Sequence, residues 1–169
     1  PHLDYARDMF LFSFYTRGMS FIDMAYLKKS DLKNGIITYR RRKTGQQLTV
    51  KWEKCMEDII AKYGKNTTTR YLLPIITNPC SDERTQYRNA ICRINVALKE
   101  VTGLAGLNIP LTMHVARHCW ASVAKSKNIP LSVISEGMGH DSEETTRIYL
   151  ASLDTSVVDK ANSLILKDF

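Results

Sequence analysis

LTMHVARHCWASVAKSKNIPLSVISEGMGHDSEETTRIY, residues Leu111–Tyr149, is the stretch from which the rest of the chain is read. His114 and Arg117 are three residues apart, so on a helix they share one face. Gly137 and Gly139 are expected to break the chain just before His140. Asp141, Ser142, Glu143 and Glu144 then form a helix start with acids in its first turn. Tyr149 falls about two turns into that helix. One guanidinium, two imidazoles and a phenol are the groups that phosphodiester cleavage without a metal requires.

Outward from this stretch, the chain is long enough for one domain with one hydrophobic core. It has 169 residues, 44% hydrophobic, which argues against disorder. The formal charge of +7 favours a polyanionic partner. No apolar run reaches membrane-spanning length, and no secretory signal is visible. Cys55, Cys80, Cys92 and Cys119 are scattered without a Cys-x-x-Cys pair. A reduced, cytoplasmic protein is expected, rather than a disulfide framework.

Residues 4–16 read as a buried helix and 19–27 as a second apolar helical segment. Asn34-Gly35 marks a turn. IITYRR at 36–41 and QLTVKW at 47–52 read as a hairpin, with Gly45 in the turn between them. An amphipathic helix is expected over 53–63, followed by a connecting loop with an apolar patch at Leu72–Ile76. A long helix over 84–101 is expected to turn Ile91, Ile94, Val96 and Leu98 inward. Gly103 to Pro110 connects to helices near 113–126, 131–137 and 142–152. An apolar stripe in 154–169 predicts a terminal helix.

Three motifs, HVARH at 114–118, GMGH at 137–140 and TTRIY at 145–149, carry a resemblance to the tyrosine recombinases, or phage-type integrases. They occur in that family's order, and Tyr149 stands nine residues after His140. The resemblance covers nearly the whole chain. It implies a mainly α fold with a small antiparallel β-sheet, the DNA breaking-rejoining catalytic domain, over residues 1–169. It also implies a separate N-terminal DNA-binding domain, absent from this chain. The partners it implies are double-stranded DNA and three further copies, a homo-tetramer on DNA in which the terminal helix docks on a neighbour or packs on its own domain. No cofactor, metal or membrane is called for, and the location is cytoplasmic and DNA-associated.

The same resemblance assigns roles. Tyr149 is the nucleophile that forms a 3′-phosphotyrosyl link, against the bland alternative of a half-buried helix tyrosine among the 8 in the chain. Arg117 clamps the phosphate, for which a planar, permanently charged guanidinium is suited. His114 and His140 contact the phosphate and handle the nucleophile's proton, and His118 either supports them or simply packs. Lys43, in the KTG at the hairpin tip, is the general acid for the leaving 5′-oxygen; the alternative is a solvated basic turn. Arg40, Arg41 and Arg42 read as phosphate contacts or exposed charge. The pattern departs from the family at Gly18-Met19-Ser20-Phe21-Ile22-Asp23, where Ser20 stands in place of the usual first arginine. Arg17, three residues earlier, is expected to substitute for it; the rival readings are an arginine supplied by another segment, or a weakened site with Ser20 as a lesser donor. Asp23 matches the family's acid and is expected to orient a neighbouring catalytic group, or simply to cap or pair locally.

Three other readings compete. His114 and His118 have the i, i+4 spacing of a helical metal pair, but Val115 stands where a zinc protease places glutamate. The Ser20 departure keeps open a DNA-binding module with weakened catalysis. A type IB topoisomerase-like relaxing enzyme shares the chemistry, and the compact GMGH-to-Tyr layout favours a recombinase over it.

Overall fold

The computed structural model describes residues 1–64 and 69–152. The expected terminal helix at 154–169 lies outside the described residues. The chain divides into two compact units, Pro1–Trp120 and Ala121–Phe169.

The first unit opens with α1, His2–Tyr15. Ala6, Met9, Phe12 and Ser13 recur at helical spacing and are buried. Met9 and Phe12 are fully enclosed, each worth about 1.5–3 kcal/mol of apolar transfer. The segment expected as helix over 19–27 is shorter: α2 spans Phe21–Ala25. A 3-10 turn at Lys29–Asp31 follows, then β1, Leu32–Lys33. β1 was not expected, because two residues carry no readable alternation. It pairs antiparallel with β2, Ile36–Arg40, through Asn34 and Gly35. Both turn residues have positive φ, 51° and 71°, as a two-residue hairpin turn demands. β3, Gln47–Lys51, completes a three-stranded antiparallel sheet in the order β1-β2-β3.

Alternation decides which face of the sheet is buried. Ile37 and Tyr39 point into the core, opposite Val50 and Leu48 of β3. The helices α3, Lys54–Tyr63, and α4, Glu83–Leu104, both pack against α1. The inward stripe of α4 is Ala90, Ile94, Ala97, Leu98 and Thr102. Val96, expected to face inward, is 68% exposed. It lies two residues from both Ile94 and Leu98, and two helical steps carry a side chain to the opposite face. In the connector, Leu72, Leu73, Ile75 and Ile76 are buried as the apolar patch predicted. Lys29 N–H and Leu72 N–H donate to the carbonyls of Arg70 and Leu27, tying this connector to the end of α2.

Asp8 is the charged group buried on α1. Its carboxylate accepts from Lys62 Nζ at 2.6 Å, Tyr63 Oη at 2.7 Å and Arg7 Nη2 at 2.9 Å. Burial alone raises its pKa, but these hydrogen bonds outweigh burial and hold it below the ordinary carboxylate value. A lowered folded-state pKa contributes stability above the unfolded value, about 3.9. That contribution is lost as pH falls through the folded value. Asp8→Asn is expected to cost about 1–3 kcal/mol near neutral pH. It should also flatten the acid limb of stability below about pH 4, read by denaturant melts across pH.

α5, Met113–Ser126, begins in the first unit and ends in the second. The second unit continues with α6, Leu131–Met138, and α7, Glu143–Ser152, which pack on each other. Gly137 stays inside α6; Gly139 alone breaks the helix, as a left-handed cap at φ 64°. Ser142 Oγ accepts from Thr145 N–H at 3.2 Å, the geometry of an N-cap on α7. Cys55, Cys80, Cys92 and Cys119 are free thiols.

Candidate active site

Arg117 sits on α5 and is 8% exposed. Its Nη1 donates to the Gly18 carbonyl at 3.0 Å. That carbonyl is presented by an abrupt end to α1. Arg17 and Gly18 are consecutive left-handed residues, φ 62° and 73°. Gly18 N–H donates to Ser13 O at 2.8 Å, and Ser13 Oγ donates to Met19 O at 2.7 Å. The chain passes so close to α5 that a Cβ on Gly18 would stand 2.8 Å from the Arg117 Cα. Arg17, a non-glycine residue held at positive φ, carries about 1–2 kcal/mol of strain. Such strain recurs at functional sites.

Arg41 continues the inward phase of Ile37 and Tyr39, and is also only 8% exposed. The expectation of exposed charge at Arg40, Arg41 and Arg42 is therefore corrected for Arg41. Arg41 N–H donates to Gln46 O at 2.9 Å, and Gly45 N–H donates to Arg41 O at 2.7 Å, closing the turn behind it. Arg40 and Arg42 are exposed. Arg40 Nη1 donates to Gly45 O at 3.1 Å, and the Arg42 guanidinium lies over the Tyr26 ring.

The buried Tyr39 phenol registers the charges of Asp23, Arg41, Arg117 and Arg17. Burial raises its pKa and Asp23 raises it further, whereas Arg41, Arg117 and Arg17 act to lower it. The charges of three guanidiniums thus act on one phenol. Asp23 organises the back of the group. Its Oδ2 accepts from Ser20 Oγ at 2.6 Å and its Oδ1 from Arg42 N–H at 2.9 Å. Ser20 has one hydroxyl hydrogen, and it goes to Asp23.

His114 is exposed on α5, with Arg117 one turn away. Partial burial lowers its pKa, and the charges of Arg117 and Lys43 lower it further, so the ring is neutral at pH 7. Lys43, exposed at the hairpin tip, is therefore within electrostatic reach of His114. His118 packs edge-on against His114, with ring centroids 4.4 Å apart. Its pKa is lowered by burial, then by His114 and Arg117.

The second unit carries the remaining two residues. His140 Nδ1 is 2.7 Å from Thr146 Oγ1, a side chain with no solvent exposure. The Tyr149 ring meets the His140 ring at 5.6 Å and 69°. Imidazole and phenol are thus neighbours, with Thr146 fixing the ring. Thr146 was missed in the sequence, though its place three residues before Tyr149 marks the same helix face.

Residues 4–156 match the phage integrase family. The chain belongs to that family. Comparison with curated proteins gives no match. Among solved structures, the integrase-family chain is similar to XerA recombinase, with a TM-score of 0.61 and 20% identity over 95% of this chain and 62% of that one. Residues 75–356 of lambda integrase, solved as a dimer bound to a COC′ core site, match with a TM-score of 0.59 and 17% identity. That match covers 86% of this chain and 52% of the other. The catalytic domain of bacteriophage HP1 integrase matches with a TM-score of 0.53 and 19% identity, over 92% of this chain and 79% of that one. The shared fold is that of tyrosine recombinase catalytic domains, mainly helical with a small antiparallel sheet. The integrase-family chain spans about three fifths of XerA and half of the lambda fragment. Among the described residues, no helix is long and apolar enough to cross a membrane.

Proposed function

We propose that this chain is the catalytic domain of a site-specific DNA recombinase that cuts and rejoins strands through a 3′-phosphotyrosyl intermediate. The observation that carries the reading is the buried Arg117, anchored to the Gly18 carbonyl beside Arg17 and one helical turn from His114, with Arg41 buried on the sheet. Membership of the phage integrase family supports it.

In this mechanism Arg117 grips the non-bridging oxygens of one phosphodiester. Arg17 and Arg41 supply the charge that Ser20 does not. His114 contacts the same phosphate, and His118 holds its ring. The Tyr149 oxygen attacks phosphorus and loses its proton to His140, whose Nδ1 is committed to Thr146, so the transfer falls to Nε2. The bond from phosphorus to the 5′-oxygen breaks as Lys43 donates a proton to that oxygen. The phosphate stays on Tyr149 with its bond energy conserved. A 5′-hydroxyl from a second strand reverses the steps without ATP or metal. Asp23 positions the turn that carries Arg42 and Lys43. Arg40 and Arg42 contact neighbouring backbone phosphates. Duplex DNA is the partner, with an N-terminal domain completing the grip. Four copies assemble on two sites, and the segment at 154–169 provides a link between them.

The test is a duplex nicked just beyond the scissile phosphate, which loses its short leaving strand after cleavage. The full-length protein should form a covalent protein–DNA adduct, with the phosphate mapped to the peptide containing Tyr149. Absence of an adduct, or a different modified residue, would overturn the reading.

Arg17 gives a second expected outcome. Arg17→Gly removes the guanidinium and relieves the left-handed strain. Thermal stability should hold or rise, by up to about 1 kcal/mol, while adduct formation slows. Unchanged cleavage would confine Arg17 to a backbone role and leave Arg41 as the substitute.

A further inference from the structure

Beyond the Tyr39 group, the first unit carries a recess of about 480 Å³ lined by Ile22, Tyr26, Arg42, Arg84, Tyr87 and Arg88. Three of its six lining residues are arginines and two are tyrosines. No carboxylate lines it. The nearby acids are occupied: Asp23, whose charge reaches Tyr87, accepts from Ser20 and from the Arg42 backbone. Asp82 accepts from Thr85 N–H at the head of α4.

Arg84, whose charge also acts on Asp82, and Arg88 form the helical side of the recess. Both lie in the first two turns of α4, where the helix dipole disfavours cations. They are four residues apart, so both point to one side. The Arg42 guanidinium is held flat, 3.5 Å from the centroid of the Tyr26 ring. Tyr87 is stacked on Phe21 at 5.7 Å, and burial, with Asp23 and Tyr26, raises its pKa. Its hydroxyl therefore stays a donor at neutral pH. Three cations and a phenolic donor line one recess. An anion of phosphodiester size satisfies all of them.

We propose that this recess binds a backbone phosphate of duplex DNA, separate from the phosphate held by Arg117. The inference rests on the reading that the chain engages DNA. Arg42 precedes Lys43 directly, so the contact lies on the flank of the cleaved step and is blind to base sequence. It fixes the register of the hairpin on the duplex.

The experiment uses the full-length protein and a random-sequence DNA duplex, titrated at several potassium chloride concentrations. Arg84→Ala/Arg88→Ala should make the slope of log Kobs against log[salt] shallower by about one. Affinity near about 0.1 M salt should fall about tenfold, to the same extent on every sequence. Arg84→Lys/Arg88→Lys should keep the slope. Scanning the duplex with single neutral methylphosphonates should reveal one position that weakens wild-type binding and leaves the double alanine variant unaffected. An unchanged slope in a folded variant, or a methylphosphonate profile identical to wild type, would overturn the proposal. Wild-type adduct formation on the nicked duplex is scored separately. An adduct with no slope change sinks only this second phosphate contact; a slope change with no adduct sinks only the Tyr149 chemistry.

Discussion

Arg117→Lys is expected to slow covalent adduct formation by about 10²–10³-fold while the protein stays folded. The charge is conserved, so the loss reports geometry. Arg117 is buried on α5 and anchored through Nη1 to the Gly18 carbonyl. That bond orients a planar fork whose other N–H groups have fixed directions. A lysine ammonium is a point charge on a flexible stem. It cannot hold the Gly18 carbonyl and present two parallel donors to a phosphate. The transition state carries more charge on the non-bridging oxygens than the ground state does. The defect should therefore appear in the single-turnover rate at saturating DNA, with little change in affinity. A rate close to wild type would show that Arg117 is not the phosphate clamp.

Gly18→Ala is expected to cost about 2–5 kcal/mol of stability and to abolish cleavage in whatever protein remains folded. Two separate terms add. An alanine at φ 73° meets left-handed strain of about 1–2 kcal/mol. Its Cβ would also lie 2.8 Å from both the Cα and the Cγ of Arg117. A backbone atom of a helix cannot swing aside as a side-chain tip can, so α5 or the end of α1 must move, an overpacking cost of about 1–3 kcal/mol. That displacement carries away the carbonyl that anchors the guanidinium. Denaturant melts and adduct formation on the same preparation check both halves. A variant as stable and as active as wild type would refute the close approach.

The motifs named most of the candidate residues, and the elements that carry them were legible where one physical rule dominates. Asn34-Gly35 can hardly be anything but a tight hairpin turn, and the alternation of IITYR and QLTVK separates the buried face from the exposed one. The same alternation, carried one residue further, points Arg41 inward. The run of four basic residues at 40–43 hid that, because a charge run is ordinarily solvated. Val96 misled because it is apolar, although its angle on α4 places it outside. α2 is shorter than its apolar sequence because Ser20 and Tyr26 end it on both sides, and no composition signal marks those limits. Ser20 shows the deeper limit. A sequence can reveal that an arginine is missing from its place. On the proposed mechanism Arg17 and Arg41 stand in for it, and the inward position of Arg41 depends on the path of the chain.

The bond between His140 and Thr146 bridges the turn at Asp141 and Ser142 and fastens the imidazole to the helix that bears Tyr149. In the proposed reaction, proton acceptor and attacking oxygen are thereby coupled mechanically. On that reading, a tilt or withdrawal of α7 removes both together and leaves neither half armed. In the proposed assembly, a subunit is then silenced by shifting one helix, without exposing a deprotonated phenol to stray electrophiles.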